Sequence, residues 1–224
     1  MIFDLEKLKS EYGDRLEAFK SLLLEYNSKY NLTAITDENE IYVKHFLDSV
    51  IPCDFFKKNA SVIEIGSGGG FPSVPLKIVR NDLSFTLVES TGKKCEFLSV
   101  VVDKLGLNCV KVLNIRAEDG GRTPELREKF DVAVARAVAK LNTLAEYCLP
   151  FVKVGGRFIA YKGESENLND SLNALKILGG AIEKVEEYEL PQGCGKRRAV
   201  IIKKVAPTPL KYPRGRGLER KKPL

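Results

Sequence analysis

Apolar residues recur at intervals of three and four over the first thirty or so positions, the spacing of one face of an α-helix. The pattern predicts an amphipathic helix over residues 4–30, or two helices separated at Gly13. A second helical stretch is predicted over 38–50 and ends before Pro52. Residues 1–58 should therefore form an N-terminal helical cap. The apolar positions of the first helix are Leu5, Leu8, Tyr12, Leu16, Phe19, Leu22, Leu23 and Tyr26.

From Ser61 onwards short apolar runs alternate with helical periodicity, which predicts a parallel sheet covered by helices on both faces. The last two runs, 182–190 and 197–204, are joined by a Pro- and Gly-containing turn without a helix, so one of them is antiparallel. The fold class is α/β and Rossmann-like, a seven-stranded, mostly parallel sheet with a terminal antiparallel hairpin strand, over a core of residues 59–205. The other predicted strands are 61–65, 84–89, 109–115, 131–135 and 156–161, and the predicted helices are 72–80, 91–105, 123–129, 140–149 and 166–178.

The first strand of this sheet runs directly into a cluster of glycines. Gly66, Gly68 and Gly70 allow the backbone to turn sharply and to approach a ligand without a Cβ in the way. The next strand ends in Glu89, 23 residues beyond Gly66, where a carboxylate can accept both hydroxyls of a ribose. The pairing predicts a nucleoside site, and an ordinary strand-to-helix turn is the alternative.

The residues after the glycines narrow the choice of nucleoside. A dinucleotide fingerprint has glycine or alanine where Phe71 stands, and it offers free N–H groups to a pyrophosphate. Pro72 has no N–H to donate. A ligand without phosphate and with a cationic tail suits this turn, and Glu64 and Glu89 add negative charge beside it. S-adenosylmethionine is such a ligand, whereas an NAD enzyme is disfavoured.

Residues that follow successive parallel strands converge on one edge of the sheet and complete the predicted site. Ser90 and Thr91 either contact the ligand or cap the next helix. Ala117 and Glu118 lie where an adenine edge would reach, with Glu118 accepting from the exocyclic amine or serving only as a surface acid. Arg136 ends the fourth strand and needs an anionic partner, such as the cofactor carboxylate or a nucleic-acid phosphate.

The sequence offers no convincing catalytic acid or base. His45 is the only histidine, and its helical surroundings favour packing or capping over catalysis. The residues after the fourth strand lack both the proline-aromatic clamp used on exocyclic amines and a cysteine for pyrimidine attack. Ring nitrogens, hydroxyls and small molecules remain as methyl acceptors. A purine N7 has a free lone pair and no proton, so it requires positioning but no base.

Positive charge is concentrated at the C-terminal end. The net charge is +6, and residues 196–224 carry eleven Lys or Arg against Glu219 alone. This composition predicts an extended basic arm, 206–224, that contacts nucleic acid, with a merely solubilising tail as the alternative. We predict RNA contacts by six basic residues along the chain: Lys162, Arg197, Arg198, Lys211, Arg214 and Arg216.

The five cysteines are odd in number and widely spaced, so neither a disulfide framework nor a zinc site is indicated. No apolar run reaches 18 residues and the first residues are not those of a secretory leader. We expect a cytoplasmic protein without a membrane association or a metal, and a monomer.

Motifs along nearly the whole chain resemble the RsmG family, also called glucose-inhibited division protein B. The resemblance implies a class I methyltransferase that transfers a methyl group from S-adenosylmethionine to N7 of a guanine in small-subunit ribosomal RNA, in the loop beside the decoding site. It matches Gly66, Phe71, Glu89 to Thr91, Ala117, Glu118 and Arg136 to cofactor positions and identifies no catalytic base. The motifs are Asn31-Leu-Thr-Ala, His45-Phe-Leu-Asp-Ser49, Ile65-Gly-Ser-Gly-Gly-Gly-Phe-Pro72, Val88-Glu-Ser90, Arg116-Ala-Glu118, Arg136-Ala137, Lys162-Gly163 and Lys211-Tyr-Pro-Arg214.

Two other functions remain open at this level. One is a small-molecule or protein methyltransferase of the same fold, whose basic tail is incidental. The other is a cofactor-binding, RNA-associated regulator without turnover. The residues do not decide which nucleotide is methylated, nor whether the substrate is naked RNA or an assembled small ribosomal subunit.

Overall fold

A computed structural model describes residues 4–136 and 139–224. Its first element is the helix α1, Leu5–Tyr30, which continues through Gly13 without a break. The Asp4 side chain accepts a hydrogen bond from the backbone N–H of Lys7 at the start of α1, and Asn31 ends the helix in the left-handed conformation. The predicted single helix is therefore confirmed, and the alternative of two helices is wrong.

The second helical stretch, predicted over 38–50, is also present but is not a regular α-helix. Two single α-helical turns, α2 (Glu38–Glu40) and α3 (Asp48–Val50), flank a π-helical segment, Ile41–Leu47. The wider π-helical turn includes Lys44 and His45, and such segments often occur at functional sites. A 3₁₀ turn, Ile51–Phe55, follows.

The core is one sheet of seven strands in the order β3-β2-β1-β4-β5-β7-β6. Only β7 is antiparallel to its neighbours, β5 and β6, as the predicted hairpin requires. The strands are β1 (Ser61–Ile65), β2 (Ser84–Glu89), β3 (Val110–Asn114), β4 (Phe130–Arg136), β5 (Val152–Gly163), β6 (Gly180–Glu189) and β7 (Lys196–Lys204). The helices of the core are α4 (Ser73–Val79), α5 (Gly92–Lys104), α6 (Ala117–Gly120), α7 (Leu141–Cys148) and α8 (Leu172–Leu178).

The helix predicted at 123–129 is wrong, because the structure places α6 earlier and turns at 121–128. Glu128 has a φ of 53°, which a helix interior does not allow, and its N–H bonds to the Pro150 carbonyl. Alternating side chains of each strand face two apolar clusters. One cluster packs under α1, α4 and α5, and the other packs under α7 and α8.

The C-terminal residues differ most from the sequence-based expectation. We expected an extended arm, but residues 206–224 fold back onto the core and end in a short helix, α9 (Leu218–Lys221). Tyr212 is buried, and Glu219 is completely buried. Local composition did not reveal this because the partners are distant in sequence. The division into a cap (1–58), a core (59–205) and an arm (206–224) stays a prediction.

Within the described residues no helix has the length and apolar character needed to cross a membrane.

Candidate active site

Glu89 is the central residue of the candidate site. It ends β2 with 7% of its surface exposed, and its carboxylate connects two loops. One oxygen accepts a hydrogen bond of 3.0 Å from the Gly68 N–H, and the other accepts one of 2.8 Å from the Thr91 N–H. Because an ionised carboxylate has about four acceptor positions, this orientation leaves capacity for two hydroxyl groups.

The glycines before α4 serve two different purposes. Gly66, Gly68 and Gly70 all have positive φ angles, which glycine adopts without strain. A Cβ on Gly68 would meet only the Gly66 carbonyl, at 3.8 Å, so the space beside it is open. A Cβ on Gly70 would lie 2.8 Å from the Val74 side chain. Gly70 is thus required for packing, and its predicted cofactor contact stays a prediction.

A cleft of about 360 Å³ opens beside Glu89 at the carboxyl ends of β1, β2 and β3, and we call it the first cleft. It brings together five of the predicted cofactor residues, namely Gly66, Glu89, Ser90, Ala117 and Glu118. The sequence analysis missed the lining residues that come from elements distant in sequence. Tyr147 belongs to α7, while Gly217 and Arg220 belong to the C-terminal residues expected to be an arm, so no local motif marked them.

The structure assigns Phe71 and Thr91 supporting positions. Phe71 is buried and stacks on the His45 ring with 4.3 Å between the centroids. The Arg136 guanidinium lies over the Phe71 ring as well, 4.9 Å from its centroid. Thr91 holds Glu89 through its backbone N–H, and its side chain does not cap α5. Neither residue lines the first cleft.

Arg136 meets acceptors of the N-terminal helices and does not line the first cleft. Its guanidinium donates to the Lys44 carbonyl, to the Asp48 carboxylate and to Nδ1 of His45, at 3.1, 3.1 and 3.0 Å. The anionic partner that this arginine needs is therefore Asp48 of its own chain. Ala137, the second residue of the Arg136-Ala137 motif, lies outside the described residues.

His45 is held as a neutral ring. A guanidinium has no acceptor, so Nδ1 must accept from Arg136, and Nε2 carries the proton that it donates to the Thr33 hydroxyl at 2.7 Å. Burial, reinforced by the positive charge of Arg136, lowers the pKa of His45 to about 3. This arrangement supports the packing interpretation of His45, since a neutral, fully bonded ring orients Arg136.

A second cleft, of about 550 Å³, opens at the carboxyl ends of β4 and β5. Four cations line it: Lys44, Arg136, Lys162 and Arg197. β1 pairs in parallel with β4, with Glu64 opposite Val134, so these neighbouring strands end at the same edge of the sheet, β1 at Ile65 and β4 at Arg136. The first and second clefts are therefore neighbours at one edge of the sheet.

The predicted RNA-binding residues do not form one surface. Lys162 and Arg197 line the second cleft, and Lys162 also forms an ion pair of 2.7 Å with Glu166. Arg198 lies next to them and donates to the Glu166 carbonyl. Lys211 and Arg216 are exposed on the C-terminal segment. Arg214 differs, because its guanidinium is bound to Glu146.

Below the glycine loop the structure contains acceptors without partners. Glu64 in β1 is completely buried, and neither of its carboxylate oxygens has a hydrogen bond within the described part of the chain. The hydroxyls of Ser67 and Ser73 are also unpaired there. Burial raises the pKa of Glu64 to about 8, although Ser73, Arg136 and Ser67 oppose the shift. A cationic ligand group fits this unsatisfied position, because its positive charge would favour the ionised form of the Glu64 carboxyl. Among the described residues no cluster of His, Cys, Asp and Glu suited to a metal occurs.

Comparison with known proteins agrees with this geometry. Residues 13–200 match the family model GidB, described as rRNA small subunit methyltransferase G. The chain is 49% identical to a ribosomal RNA small subunit methyltransferase G of Acetivibrio thermocellus, over 97% of this chain and 90% of that protein. It is 47% identical to the protein of the same name from Brevibacillus brevis, over 97% and 93% of the two chains.

Solved structures with little sequence similarity share the fold. A SAM-dependent O-methyltransferase of Thermotoga maritima superposes with a TM-score of 0.58 at 16% identity, over 84% of this chain and 72% of that chain. The TYW2 protein of M. jannaschii, solved in complex with AdoMet, gives a TM-score of 0.54 at 16% identity, over 70% and 74% of the two chains. The predicted fold class is confirmed.

Proposed function

This chain belongs to the family of rRNA small subunit methyltransferase G, and on that premise we propose that it methylates N7 of a guanine in small-subunit ribosomal RNA. S-adenosylmethionine is the methyl donor. The family favours this reading over a small-molecule or protein methyltransferase and over a regulator without turnover. Our proposed place of action is the cytoplasm, where ribosomal RNA is available.

The observation that carries the proposal is the position of two unlike clefts at neighbouring strand ends of one sheet edge. The first cleft contains two carboxylates, Glu89 and Glu118, and the close-approach glycine Gly66, which suit an adenosine. The second cleft is lined by four cations and two acids, Asp48 and Glu166, and its excess of positive charge suits a nucleotide with its phosphates. Because β1 and β4 are neighbouring parallel strands, a donor in one cleft and an acceptor base in the other would meet at the same edge of the sheet.

The residues present fit the cofactor. Glu89 would hold the ribose hydroxyls, and Glu118 would accept from the adenine amine. Glu64, which is buried without a hydrogen-bond partner among the described residues, would face the positive charge of the methionine part. Ser90 and Ala117 complete the wall, and the open space beside Gly68 permits close approach. When bound, S-adenosylmethionine supplies a methyl group activated by a sulfonium.

The protein needs no general base for the acceptor that we propose. Guanine N7 carries a lone pair and no proton, so the chain has to orient the ring and exclude water. His45, neutral and bonded on both nitrogens, does not take up a proton in this role. Instead it fixes Arg136 in the wall of the second cleft, where a guanidinium can orient an oxygen acceptor of the base or its phosphate.

The cations of the second cleft are our candidates for RNA contacts. Lys44 and Lys162 each form an ion pair on one side, to Glu40 and Glu166, and remain at the cleft wall. Arg197 bonds only to the neighbouring Lys196 carbonyl among the contacts found in the described residues, so its charge is available. Phosphate contacts by such side chains position the RNA without reading its sequence.

The test uses small ribosomal subunits, and separately their deproteinised RNA, from a bacterium that lacks this enzyme. We expect the purified protein to transfer radiolabel from S-adenosylmethionine to the RNA and to yield N7-methylguanosine on nucleoside digestion. Glu89→Ala should abolish transfer, whereas the exposed Glu25→Ala in α1 is the matched control. Label in another nucleoside would refute the N7 assignment, and no label in either substrate would refute the function.

A further inference from the structure

The C-terminal segment, residues 207–224, is attached to the core by two arginines, the half-buried Arg127 and the exposed Arg122. Arg127 donates to the Tyr212 and Thr208 carbonyls at 2.9 and 2.7 Å. Arg122 donates to the Pro213 carbonyl at 3.0 and 2.7 Å through two of its nitrogens. Four charge-assisted hydrogen bonds thus hold a stretch that has little regular structure of its own.

A second group of contacts holds the end of the segment over α7. Arg214 forms a two-pronged ion pair with Glu146, whose side chain is 1% exposed, with a shortest distance of 2.7 Å. Glu219 is completely buried, its carboxylate accepts from the Gly215 N–H, and its carbonyl accepts from the Thr143 hydroxyl at 3.0 Å. These contacts fix the position of α9 relative to α7.

The fixed position of α9 brings Gly217 and Arg220 to the wall of the first cleft, together with Glu118 and Tyr147. The pKa of Tyr147 is shifted by burial and by the charged side chains of Glu219, Glu118 and Arg220, which lie near it. It is raised by burial and then by the carboxylates of Glu219 and Glu118, and Arg220 lowers it. A guanidinium and a carboxylate therefore lie around one opening of the first cleft.

The chemistry of this pair matches one base edge. Adenine presents an amine donor beside the ring acceptor N1. Glu118 can only accept when ionised, and Arg220 can only donate. We propose that the C-terminal segment is one wall of the cofactor pocket and that Arg220 donates to the adenine of the cofactor beside Glu118, an inference that rests on the proposed function.

If Arg220 contacts the cofactor, part of the positive charge near the C-terminus serves cofactor binding and not RNA binding. Arg214, one of the predicted RNA contacts, binds Glu146, and Arg220, another cation of the predicted arm, lines the first cleft. Loss of the segment should then weaken cofactor binding, contrary to the expectation for a separate arm. Lys211, Arg216 and Lys222 remain exposed and free to meet phosphates.

The experiment measures the affinity of the full chain for S-adenosylhomocysteine by calorimetry. Arg220→Ala should bind about tenfold more weakly, in line with a lost hydrogen bond from a charged donor. Lys222 is exposed, lies two residues after Arg220 and does not line the first cleft. Lys222→Ala removes the same charge, and its affinity should stay within about twofold of that of the parent. Thermal unfolding of each variant checks that the fold is intact.

A second ligand separates a base contact from a merely structural wall. S-inosylhomocysteine presents an oxygen acceptor and an N1–H donor, the reverse of adenine, so the parent should bind it more weakly than the adenosyl ligand. Arg220→Ala should reduce this preference, because its main effect falls on the adenosyl ligand. Parent-like affinities of Arg220→Ala for both ligands, or equal losses for both, would overturn the inference. Failure of the parent protein itself to bind S-adenosylhomocysteine would overturn the proposed function.

Discussion

Glu64 gives the most quantitative test of the structure. Its carboxyl group is completely buried in β1 and lacks a hydrogen-bond partner among the described residues. Burial raises its pKa from 4.5 to about 8, so at neutral pH the folded, cofactor-free protein holds a proton that the unfolded chain has lost. We propose the substitution Glu64→Gln as a test, because it preserves the shape of the side chain and removes the titrating carboxyl group.

The number of protons bound in each state determines whether the free energy of unfolding rises or falls with pH. Between the unfolded pKa of 4.5 and the folded value of about 8, the folded state binds one more proton. The stabilising contribution of the Glu64 proton to the free energy of unfolding is fully present below pH 4.5. It falls by about 1.4 kcal/mol per pH unit as the pH rises towards the folded pKa. The loss reaches about 3 kcal/mol near pH 7 and levels off at about 5 kcal/mol above pH 8.

The assay is urea unfolding of the cofactor-free parent and variant at about pH 5, 7 and 8.5. Stability of Glu64→Gln relative to the parent should increase by about 4 kcal/mol from the lowest to the highest pH. All other titrating groups cancel in this difference, and a constant offset reports only the packing of the amide. The exposed Glu125→Gln is the matched control and should follow the parent. Parallel curves for Glu64→Gln and the parent would refute the reasoning.

The remaining predictions concern the site and its supports. Glu89→Ala should weaken S-adenosylhomocysteine binding well beyond tenfold in calorimetry, because charge-assisted bonds to ribose contribute about 1.5–3 kcal/mol each; an affinity within about threefold of the parent contradicts this. Gly70→Ala should lower the unfolding free energy measured in urea by about 1–3 kcal/mol, since a Cβ there would lie 2.8 Å from Val74 at a φ of 86°, and unchanged stability would speak against it. Arg136→Ala should reduce methyl incorporation while the protein remains folded by circular dichroism; parent-like turnover removes Arg136 from the site.

Much of the fold was predictable from local sequence pattern. The alternation of apolar runs from Ser61 onwards determined the parallel sheet, and the short turn between the last two strands determined the antiparallel one, since a tight turn permits no other direction. The glycines at Gly66 and Gly68, followed by Glu89, predicted where a nucleoside would bind. These signals are local, because each depends on residues within one strand, one turn or one βαβ unit.

Only the tertiary structure decided how distant residues share the site. Arg136 meets His45 and Asp48 from 91 and 88 positions earlier, and Arg214 meets Glu146 across 68 positions. We predicted a ligand partner for both arginines, the cofactor or a nucleic acid for Arg136 and RNA for Arg214, because nothing in their neighbourhood reveals a buried acceptor elsewhere. Burial of an acceptor such as Glu146 is costly unless a donor reaches it, and that requirement directs the C-terminal segment onto the core instead of into solvent. The pairing is a property of the whole packed chain, and no short stretch of sequence contains it.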